Sequence, residues 1–427
     1  MDKNRKTAYE VLLDVEKNSS YSNLAINNFI SKNKPDNPAF VREMVYGVLE
    51  NKIYIDYILN KLIPSGLKKV KKQDLCLLRM GIYQLKFMDS VPDYAAVNES
   101  VNMAKVFCRG RDRFINGVLR GFLKCDKSVD LPDYDKNPVE HICIKHSMPE
   151  WIVTLWADGY GMEKAEEITA ASNETPPLCL RVNVMKNSAE ELIDKLEQEG
   201  FTVAKGQMSE RAVLVKGKGT GILESKLFRD GCFSVQDEAS ILTTDILNPQ
   251  PGDTVVDVCA APGGKTLAMA EKMQSKGCIN AFDKYEHKLE LIDKQAERLG
   301  IDIIKTKCHD STELFAELTG SADCVLADVP CSGLGVIRRK PEIKYKEDLD
   351  LDELIERQRM ILNAASAYVK DGGRLVYSTC TINPDENERQ VNNFLKVNAD
   401  FKLETMKQFF PGNETDGFFI CSMIKNV

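Results

Sequence analysis

The stretch TVVDVCAAPGGKT, residues 254–266, decides the fold of the last part of this chain. Its β-branched start predicts a buried strand, its glycines predict a tight turn, and the following TLAMAEKM predicts a helix. A glycine-rich turn between a strand and a helix lets a ligand approach the backbone closely. We therefore predict an α/β domain with a ligand-binding turn at this point.

Strands and helices alternate around this turn, over residues 236–427. Further strands are predicted in GCINAFDK, DIIKTKCHD, ADCVLADVP and GRLVYSTC, with helical stretches between them, and GFFICSMIKN supplies a last strand. This alternation indicates a mostly parallel, doubly wound sheet that is covered by helices on both faces.

Two further segments precede this domain, so we predict a multidomain chain with three parts. Residues 1–130 are predicted to be all-α, because apolar residues of FVREMVYGVLE and RFINGVLRGFL recur at helical spacing. The polar, proline-containing KSVDLPDYDKNP is predicted to be a linker. Residues 139–235 combine helices with strands in LCLRVNV and RAVLVKG, which predicts a small α+β unit.

The composition is that of a water-soluble globular protein. Of 427 residues, 43% are hydrophobic and 28% are charged, and no apolar run reaches the length of a membrane span. The start, MDKNRKTAYEVLLDVEKN, lacks the apolar run of a signal peptide, so we expect a cytoplasmic protein with reduced cysteines. The four histidines and thirteen scattered cysteines form no metal-binding pattern, and we expect no metal.

Charge is distributed unevenly along the chain. Residues 1–127 contain 22 basic and 14 acidic side chains, a net charge of +8, whereas the whole chain carries −7. A basic block on an acidic protein indicates a polyanionic partner such as nucleic acid. A solvated helical surface explains the same charges equally well.

Four aspartates stand where predicted strands end: Asp257, Asp283, Asp310 and Asp328. The carboxyl ends of parallel strands meet at one edge of a sheet, where open α/β sheets bind their ligands. Carboxylates suit ribose hydroxyls, an adenine edge and a positive charge, so S-adenosylmethionine fits better than anionic NAD or ATP. A P-loop would need glycine where Cys259 stands. The alternative reading is that individual aspartates only cap helices or turns.

Two thiols follow the fourth and fifth predicted strands of this sheet. Cys331 lies in ADVPCSGLG and Cys380 in LVYSTCTINPDENE, each in a polar loop beside proline, serine or threonine. Cysteine is more often a small buried hydrophobe, and that reading suits Cys324 and Cys421 inside apolar runs. The position of Cys331 and Cys380 at the ligand-binding edge favours a chemical role for both.

Methylation of a pyrimidine carbon needs a thiol beside a methyl donor. A thiolate that adds to carbon 6 of cytosine makes carbon 5 nucleophilic, and the thiolate leaves after carbon 5 has gained the methyl group and lost its proton. Asp328 is expected to hydrogen-bond the cytosine edge. The residues alone do not decide which thiol adds to the ring.

Several motifs resemble those of a known family. DVCAAPGGKT, ADVPCSGLGVIRRKPEIK and LVYSTCTINPDENE resemble the catalytic motifs of the Sun/NOL1/NOP2 family of RNA cytosine-5 methyltransferases. FVREMVYGVLE, LRMGIYQLKFMDSVPDYAAVNESV and FINGVLRGFL resemble the NusB-like helical domain. The combination covers essentially the whole chain and is similar to bacterial enzymes that methylate small-subunit ribosomal RNA.

The resemblance implies a class I, Rossmann-like methyltransferase domain and assigns its site residues. Cys380 is then the nucleophile and Cys331 assists product release. The implied S-adenosylmethionine site comprises Cys259, Ala260, Ala261, Pro262, Gly263, Gly264, Lys265, Asp283, Asp310 and Asp328.

The resemblance also implies a partner, which is 16S ribosomal RNA in an unassembled or partly assembled small subunit. We expect a monomer that takes a looped-out cytosine, since pairing hides carbon 6. The middle unit, with RVN at residues 181–183 and QDEAS at residues 236–240, would be an RNA-binding platform. Arg338, Arg339, Lys340 and Lys344 could grip phosphates beside the target, or could form a solvated loop.

Three rival functions remain for comparison. An RNA-binding assembly factor with a silent catalytic domain would be expected to have a broken cofactor or thiol motif, and both are intact. A DNA cytosine methyltransferase would leave Cys380 and the helical segment without a purpose. A P-loop ATPase is disfavoured by Cys259.

Overall fold

A computed structural model describes residues 1–18, 22–217, 219, 221–346, 349–412 and 415–426 of the chain. These residues fold into two compact units. One unit comprises Met1–Asn173 and a short segment that begins at Ile337, and the other comprises Glu174–Val336 and the residues from Leu349 onward. The division into segments 1–130, 139–235 and 236–427 stays a prediction.

The first unit is helical. Its α-helices are α1 (Lys3–Asn18), α2 (Ser22–Asn33), α3 (Pro38–Glu50), α4 (Lys52–Leu62), α5 (Lys72–Phe87), α6 (Asp93–Phe107), α7 (Asp112–Lys124), α8 (Pro138–Lys145), α9 (Glu150–Tyr160) and α10 (Met162–Ala171). No helix among the described residues combines the length and the hydrophobicity needed to cross a bilayer.

Helix α3 shows how the apolar spacing builds this unit. Asn37 caps the helix by accepting a hydrogen bond from the backbone N–H of Phe40, and Pro38 occupies the first turn, where its missing N–H costs nothing. The predicted apolar face of α3 is confirmed, because each of its residues is at most 4% exposed: Val41, Met44, Val45, Val48 and Leu49. The same holds for α7, whose predicted face is buried except for Phe114.

The segment from Ile337 buries a lysine in this unit. Lys344 lies in a short 3-10 helix (Pro341–Tyr345), and its Nζ donates to the carbonyl oxygens of Glu50 and Ser147 at 3.1 Å and to Oδ1 of Asn173 at 2.7 Å. Burial lowers the pKa of the Lys344 amine to about 7. The side chain is 2% exposed, so the prediction that it grips phosphates is wrong.

We predict that the lysine makes stability depend on pH. Between pH 7 and pH 9 the unfolded chain keeps a proton on Lys344 that the folded chain has lost, so the folded state gains up to about 1.4 kcal/mol per pH unit. Methionine does not titrate. Urea unfolding should therefore show that the stability of the wild type, relative to Lys344→Met, rises between pH 7 and pH 9.

Lys340→Met is the matched control, since Lys340 is exposed four residues earlier. Its effect on stability should be the same at both pH values. A difference between wild type and Lys344→Met that does not change with pH would contradict the assignment.

The second unit contains two sheets. Its strands are β1 (Leu178–Val182), β2 (Val203–Lys205), β3 (Ala212–Val215), β4 (Phe233–Val235), β5 (Thr254–Asp257), β6 (Cys278–Asp283), β7 (Ile304–Cys308), β8 (Ala322–Asp328), β9 (Val369–Thr379), β10 (Phe401–Phe409) and β11 (Phe418–Lys425). Its helices are α11 (Ala189–Gln198), α12 (Lys226–Arg229), α13 (Glu238–Leu247), α14 (Gly264–Lys272), α15 (Glu286–Leu299), α16 (Leu351–Tyr368) and α17 (Glu388–Val397).

The smaller sheet is antiparallel, in the order β2-β3-β1-β4. It packs with helix α11, which Ser188 caps at its start. The Ser188 hydroxyl accepts from the N–H of Glu191, and the Glu191 carboxylate accepts from the N–H of Ser188. The part of the chain that forms this smaller sheet and α11 is α+β, as predicted.

The larger sheet has the order β10-β11-β9-β8-β5-β6-β7, and β9, β8, β5, β6 and β7 are parallel. Both faces of its centre are buried. Val256 packs in one apolar cluster with Tyr377, and Val255 packs in another with Val376, as the alternation of a strand requires. All six strands predicted for this domain are confirmed. The edge strand β10, which pairs antiparallel with β11, was missed.

Candidate active site

The parallel strands bring their carboxyl ends to one edge of the large sheet. Asp257, Asp283 and Asp328 are the last residues of β5, β6 and β8, and Asp310 lies two residues after β7. Cys380 directly follows β9. The predicted aspartates therefore share one edge with both thiol-bearing loops.

The glycine turn has the tight geometry that the sequence predicts. Gly263 has φ +103°, and a Cβ there would lie 3.0 Å from Cγ1 of Ile292. Gly264 begins α14, and the Ala261–Pro262 peptide bond is cis. Only glycine fits position 263 without strain, because of the positive φ and because Ile292 packs closely against it.

Asp257 holds this turn and does not face a ligand. Its carboxylate accepts from the hydroxyl of Thr266 at 2.7 Å and from the N–H of Cys259 at 3.4 Å, and it is 1% exposed. Burial raises the pKa of Asp257 to about 7, although the Thr266 hydrogen bond opposes the shift. The expectation that four carboxylates converge on a ligand is therefore wrong for Asp257.

Arg181 braces the same turn from the small sheet. Its guanidinium pairs with both oxygens of Glu271 at 2.8 and 2.9 Å, and donates to the carbonyl of Gly264 at 2.6 Å and to Gln236. Arg181 is 1% exposed and Glu271 is fully buried. Sequence reasoning missed this role, because the residues that Arg181 contacts lie 55 to 90 positions away.

Three residues of the RVN and QDEAS motifs are buried, while the RNA-binding role of the middle unit stays a prediction. Arg181, Asn183 and Glu238 are at most 1% exposed, so none of them reaches a bound RNA. The Glu238 carboxylate instead accepts from the backbone N–H groups of Met208 and Ser209. These residues hold the second unit together.

Two aspartates of the predicted cofactor site lie on neighbouring loops. Asp283 accepts from the N–H of Tyr285 at 3.0 Å. Asp310 pairs with Lys284 at 2.8 Å and also accepts from Thr312, and its side chain remains 37% exposed. The hydrogen bond from Lys284 lowers the pKa of Asp310 to about 2, so this group is a carboxylate at neutral pH.

Cys259 and Ala260 follow β5 at the same edge of the sheet as these carboxylates. Burial raises the pKa of the Cys259 thiol well above its ordinary value, and the charges of Asp257 and Asp328 raise it further. Cys259 is therefore a neutral thiol. Ala260 is 5% exposed and packs in an apolar cluster with Ile292.

Asp328 is fixed from two sides. Its Oδ2 pairs with Nζ of Lys265 at 2.7 Å, and its Oδ1 accepts from the Ser378 hydroxyl at 2.8 Å. Burial disfavours the charge of Lys265, but the Asp328 carboxylate more than offsets this effect and raises the pKa of the lysine. The carboxylate, 28% exposed, is thus an oriented acceptor at the mouth of the site.

The two thiols meet at this edge. The Sγ atoms of Cys331 and Cys380 are 3.2 Å apart, within hydrogen-bonding distance for sulfur. The hydrogen bond to Cys380 and burial both raise the pKa of Cys331 well above its ordinary value. Cys331 therefore holds its thiol proton more tightly than an ordinary cysteine does.

Close backbone packing fixes the two loops against each other. The N–H of Gly335 donates to the carbonyl of Cys380 at 3.0 Å, and the N–H of Gly417 donates to the carbonyl of Gly335 at 2.9 Å. A Cβ at position 335 would lie 2.0 Å from the Gly417 carbonyl oxygen. Neither neighbour is a flexible side-chain end, so a larger residue must displace the loop that carries Cys331.

We predict that Gly335→Ala destabilises the protein by about 1–3 kcal/mol, the usual cost of overpacking. Urea unfolding measures the change. Gly412→Ala is the control, because an added Cβ there has no atom within 4 Å and should shift stability by less than about 0.5 kcal/mol. Equal effects of the two substitutions would rule out the close contact.

Three family descriptions match separate parts of the chain. Residues 2–124 match the NusB family, and residues 148–220 match a domain described as RsmF/B-like and ferredoxin-like. Residues 244–424 match the family described as 16S rRNA methyltransferase RsmB/F.

Curated relatives are similar over nearly their full length. "Probable ribosomal RNA small subunit methyltransferase B" of Bacillus subtilis is 39% identical over 99% of this chain and 98% of that protein. "Ribosomal RNA small subunit methyltransferase B" of Vibrio cholerae is 33% identical over 92% of this chain and 90% of that protein.

Solved structures show the same fold. The crystal structure of PH0851 matches with a TM-score of 0.82 and 26% identity, over 99% of this chain and 98% of that chain. NSun6 from Pyrococcus horikoshii matches with a TM-score of 0.59 and 23% identity, over 65% and 98% of the two chains.

The sheet order, the glycine turn and the accompanying domains define a methyltransferase with a Rossmann-like catalytic domain, a NusB domain and a ferredoxin-like domain. The chain belongs to the RsmB/F family of 16S rRNA methyltransferases. The predicted fold class and the predicted resemblance are thereby confirmed.

Proposed function

We propose that this protein transfers a methyl group from S-adenosylmethionine to carbon 5 of a cytosine in 16S ribosomal RNA, through a covalent bond between Cys380 and the base. The observation that carries the proposal is the 3.2 Å contact between the Cys331 and Cys380 sulfurs, beside Asp328. No group of three or more His, Cys, Asp or Glu side chains suited to a metal occurs among the described residues.

The residues at the strand ends fit S-adenosylmethionine. The turn from Cys259 to Lys265 lies at the same edge of the sheet as the carboxylates of Asp283 and Asp310, and carboxylates accept from ribose hydroxyls and amino groups. When bound, S-adenosylmethionine supplies a methyl group on a positively charged sulfur.

Cys380 acts as the nucleophile in this proposal. While Cys331 stays protonated, Cys380 supplies the thiolate, and its own proton passes to solvent. Its sulfur forms a bond to carbon 6 of the ring, and the electron pair of the 5,6 double bond moves to carbon 5, which can then take the methyl group.

Asp328 and Lys265 orient the base and balance its charge. The carboxylate of Asp328 accepts a hydrogen bond from the cytosine amino group, while Ser378 and Lys265 prevent it from rotating. The charged Lys265 also reduces the cost of the negative charge that the ring gains during addition.

Cys331 completes the reaction. The hydrogen bond to Cys380 is the main cause of its raised pKa, and this cause ends when the Cys380 sulfur is bonded to carbon. Cys331 then loses its proton to solvent and takes the proton of carbon 5. The electrons of that C–H bond restore the double bond, and the bond from Cys380 to carbon 6 breaks.

The RNA partner is 16S ribosomal RNA in an unassembled or partly assembled small subunit. Carbon 6 is accessible only in an unpaired or flipped cytosine. A fully assembled subunit would restrict access to such a base. The net charge of +8 over residues 1–127 suits contact with the phosphate backbone. We propose that the protein acts as a monomer in the cytoplasm.

The first test is methyl transfer by variants. With labelled S-adenosylmethionine and 16S ribosomal RNA from cells that lack the protein, the wild type should yield 5-methylcytosine. Cys380→Ala should lower the rate by roughly a thousandfold or more, because no other group supplies the covalent bond. Cys324→Ala, at a buried cysteine away from the thiol pair, is the control.

Full turnover by Cys380→Ala would refute the nucleophile. RNA binding without any methyl incorporation by the wild type would favour an assembly factor in place of an enzyme.

The second test concerns release. Cys331→Ala should accumulate a covalent protein–RNA complex, because the step that breaks the bond to carbon 6 lacks its base. Denaturing gel electrophoresis detects the complex as an RNA-labelled band that protease removes. An adduct level equal to that of the wild type would contradict the role of Cys331.

A further inference from the structure

We propose that Glu386 is a positioning residue that sets the distance between the two catalytic thiols; this inference rests on the proposed function. Glu386 lies six residues after Cys380 and is fully buried. Its carboxylate binds the residue that follows each of the two cysteines.

On the Cys331 side, Glu386 holds Ser332. The backbone N–H of Ser332 donates to Oε2 of the carboxylate at 2.8 Å, and the Ser332 hydroxyl donates to Oε1. A backbone hydrogen bond to a buried carboxylate fixes the chain itself. Cys331 is therefore placed by its neighbour.

On the Cys380 side, the same carboxylate holds Thr381 and Asn383. Oε1 of Glu386 accepts from the Thr381 hydroxyl at 3.3 Å and from Nδ2 of Asn383 at 3.2 Å. The hydroxyls of Ser332 and Thr381 are themselves 2.7 Å apart. One carboxylate thus links the residues that follow each cysteine.

Helix α16 supplies a third support. Nε2 of Gln358 donates to Oε2 of Glu386 and to the carbonyl of Pro330, both at 2.9 Å. Pro330 precedes Cys331, so the loop is held on both sides of its thiol. Each of these hydrogen-bond donors lies on a loop that carries a thiol or, in the case of Gln358, also binds such a loop. A carboxylate that contributed only to general stability would not need this arrangement.

The test measures the thiol geometry without RNA or cofactor. Diamide, an azo oxidant, takes two electrons and two protons from a thiol pair, which forms a disulfide while the oxidant becomes a hydrazine. Mass spectrometry of tryptic peptides follows the Cys331–Cys380 disulfide. Glu386→Gln should slow the formation of this disulfide by about tenfold. Both carboxylate oxygens accept hydrogen bonds from Ser332, and the substitution replaces one of them with an amide NH2 group, which only donates.

Two further variants make the test specific. Glu238→Gln alters another fully buried carboxylate that accepts two backbone N–H groups, and it should leave the disulfide rate unchanged. Should Glu386→Gln fail to fold, Ser332→Ala removes one donor to the carboxylate and should slow the reaction by severalfold.

The catalytic readout is the split between kcat and KM. A misplaced thiol pair lowers the kcat of Glu386→Gln per folded molecule and leaves the KM for RNA unchanged, whereas general destabilisation lowers only the folded fraction and keeps kcat per folded molecule at the wild-type value. Equal disulfide rates in wild type and Glu386→Gln, or no disulfide in the wild type, would overturn the inference. A slowed disulfide together with active Cys380→Ala would keep the positioning role and reject the proposed function.

Discussion

Strands β8 and β9 run parallel with Asp328 opposite Ser378, and the arrangement of the site depends on this pairing. The register places the loops that carry Cys331 and Cys380 side by side at the carboxyl edge, where their sulfurs come within 3.2 Å. A shift of one residue would turn Ser378 away from Asp328 and separate the loops. The apolar clusters on both faces of the sheet fix the register, so the hydrophobic core determines the geometry of the chemistry.

Electrostatics then give the two thiols different tasks. Cys331 has its pKa raised by the hydrogen bond to Cys380 and by burial, so it is a neutral thiol in the free protein. Lys265 and Asp328 form an ion pair at the same edge of the sheet. Neutral Cys259 and buried Asp257 maintain the turn without competing for the ligand. Each of these roles follows from burial and from the nearest charge.

The sequence predicted the features that depend on local pattern. Strand and helix alternation, the glycine turn, the strand-end aspartates and the two thiols are all visible in short stretches of residues. Strand β10 was missed because an edge strand with mostly exposed side chains has no apolar run. Lys344 and Arg181 were misplaced because long-range acceptors bury them, and basic residues are ordinarily exposed. The network of Glu386 connects three chain segments, which only the folded structure brings together.

The most direct measurement traps the covalent bond and identifies its cysteine. In RNA that carries 5-fluorocytosine at the target, carbon 5 has fluorine in place of the proton that a base must remove, so the bond to carbon 6 persists after methyl transfer. Nuclease and trypsin digestion followed by mass spectrometry would locate the modified residue. The account predicts that the nucleotide is attached to Cys380, and attachment to Cys331 or to neither thiol would contradict it.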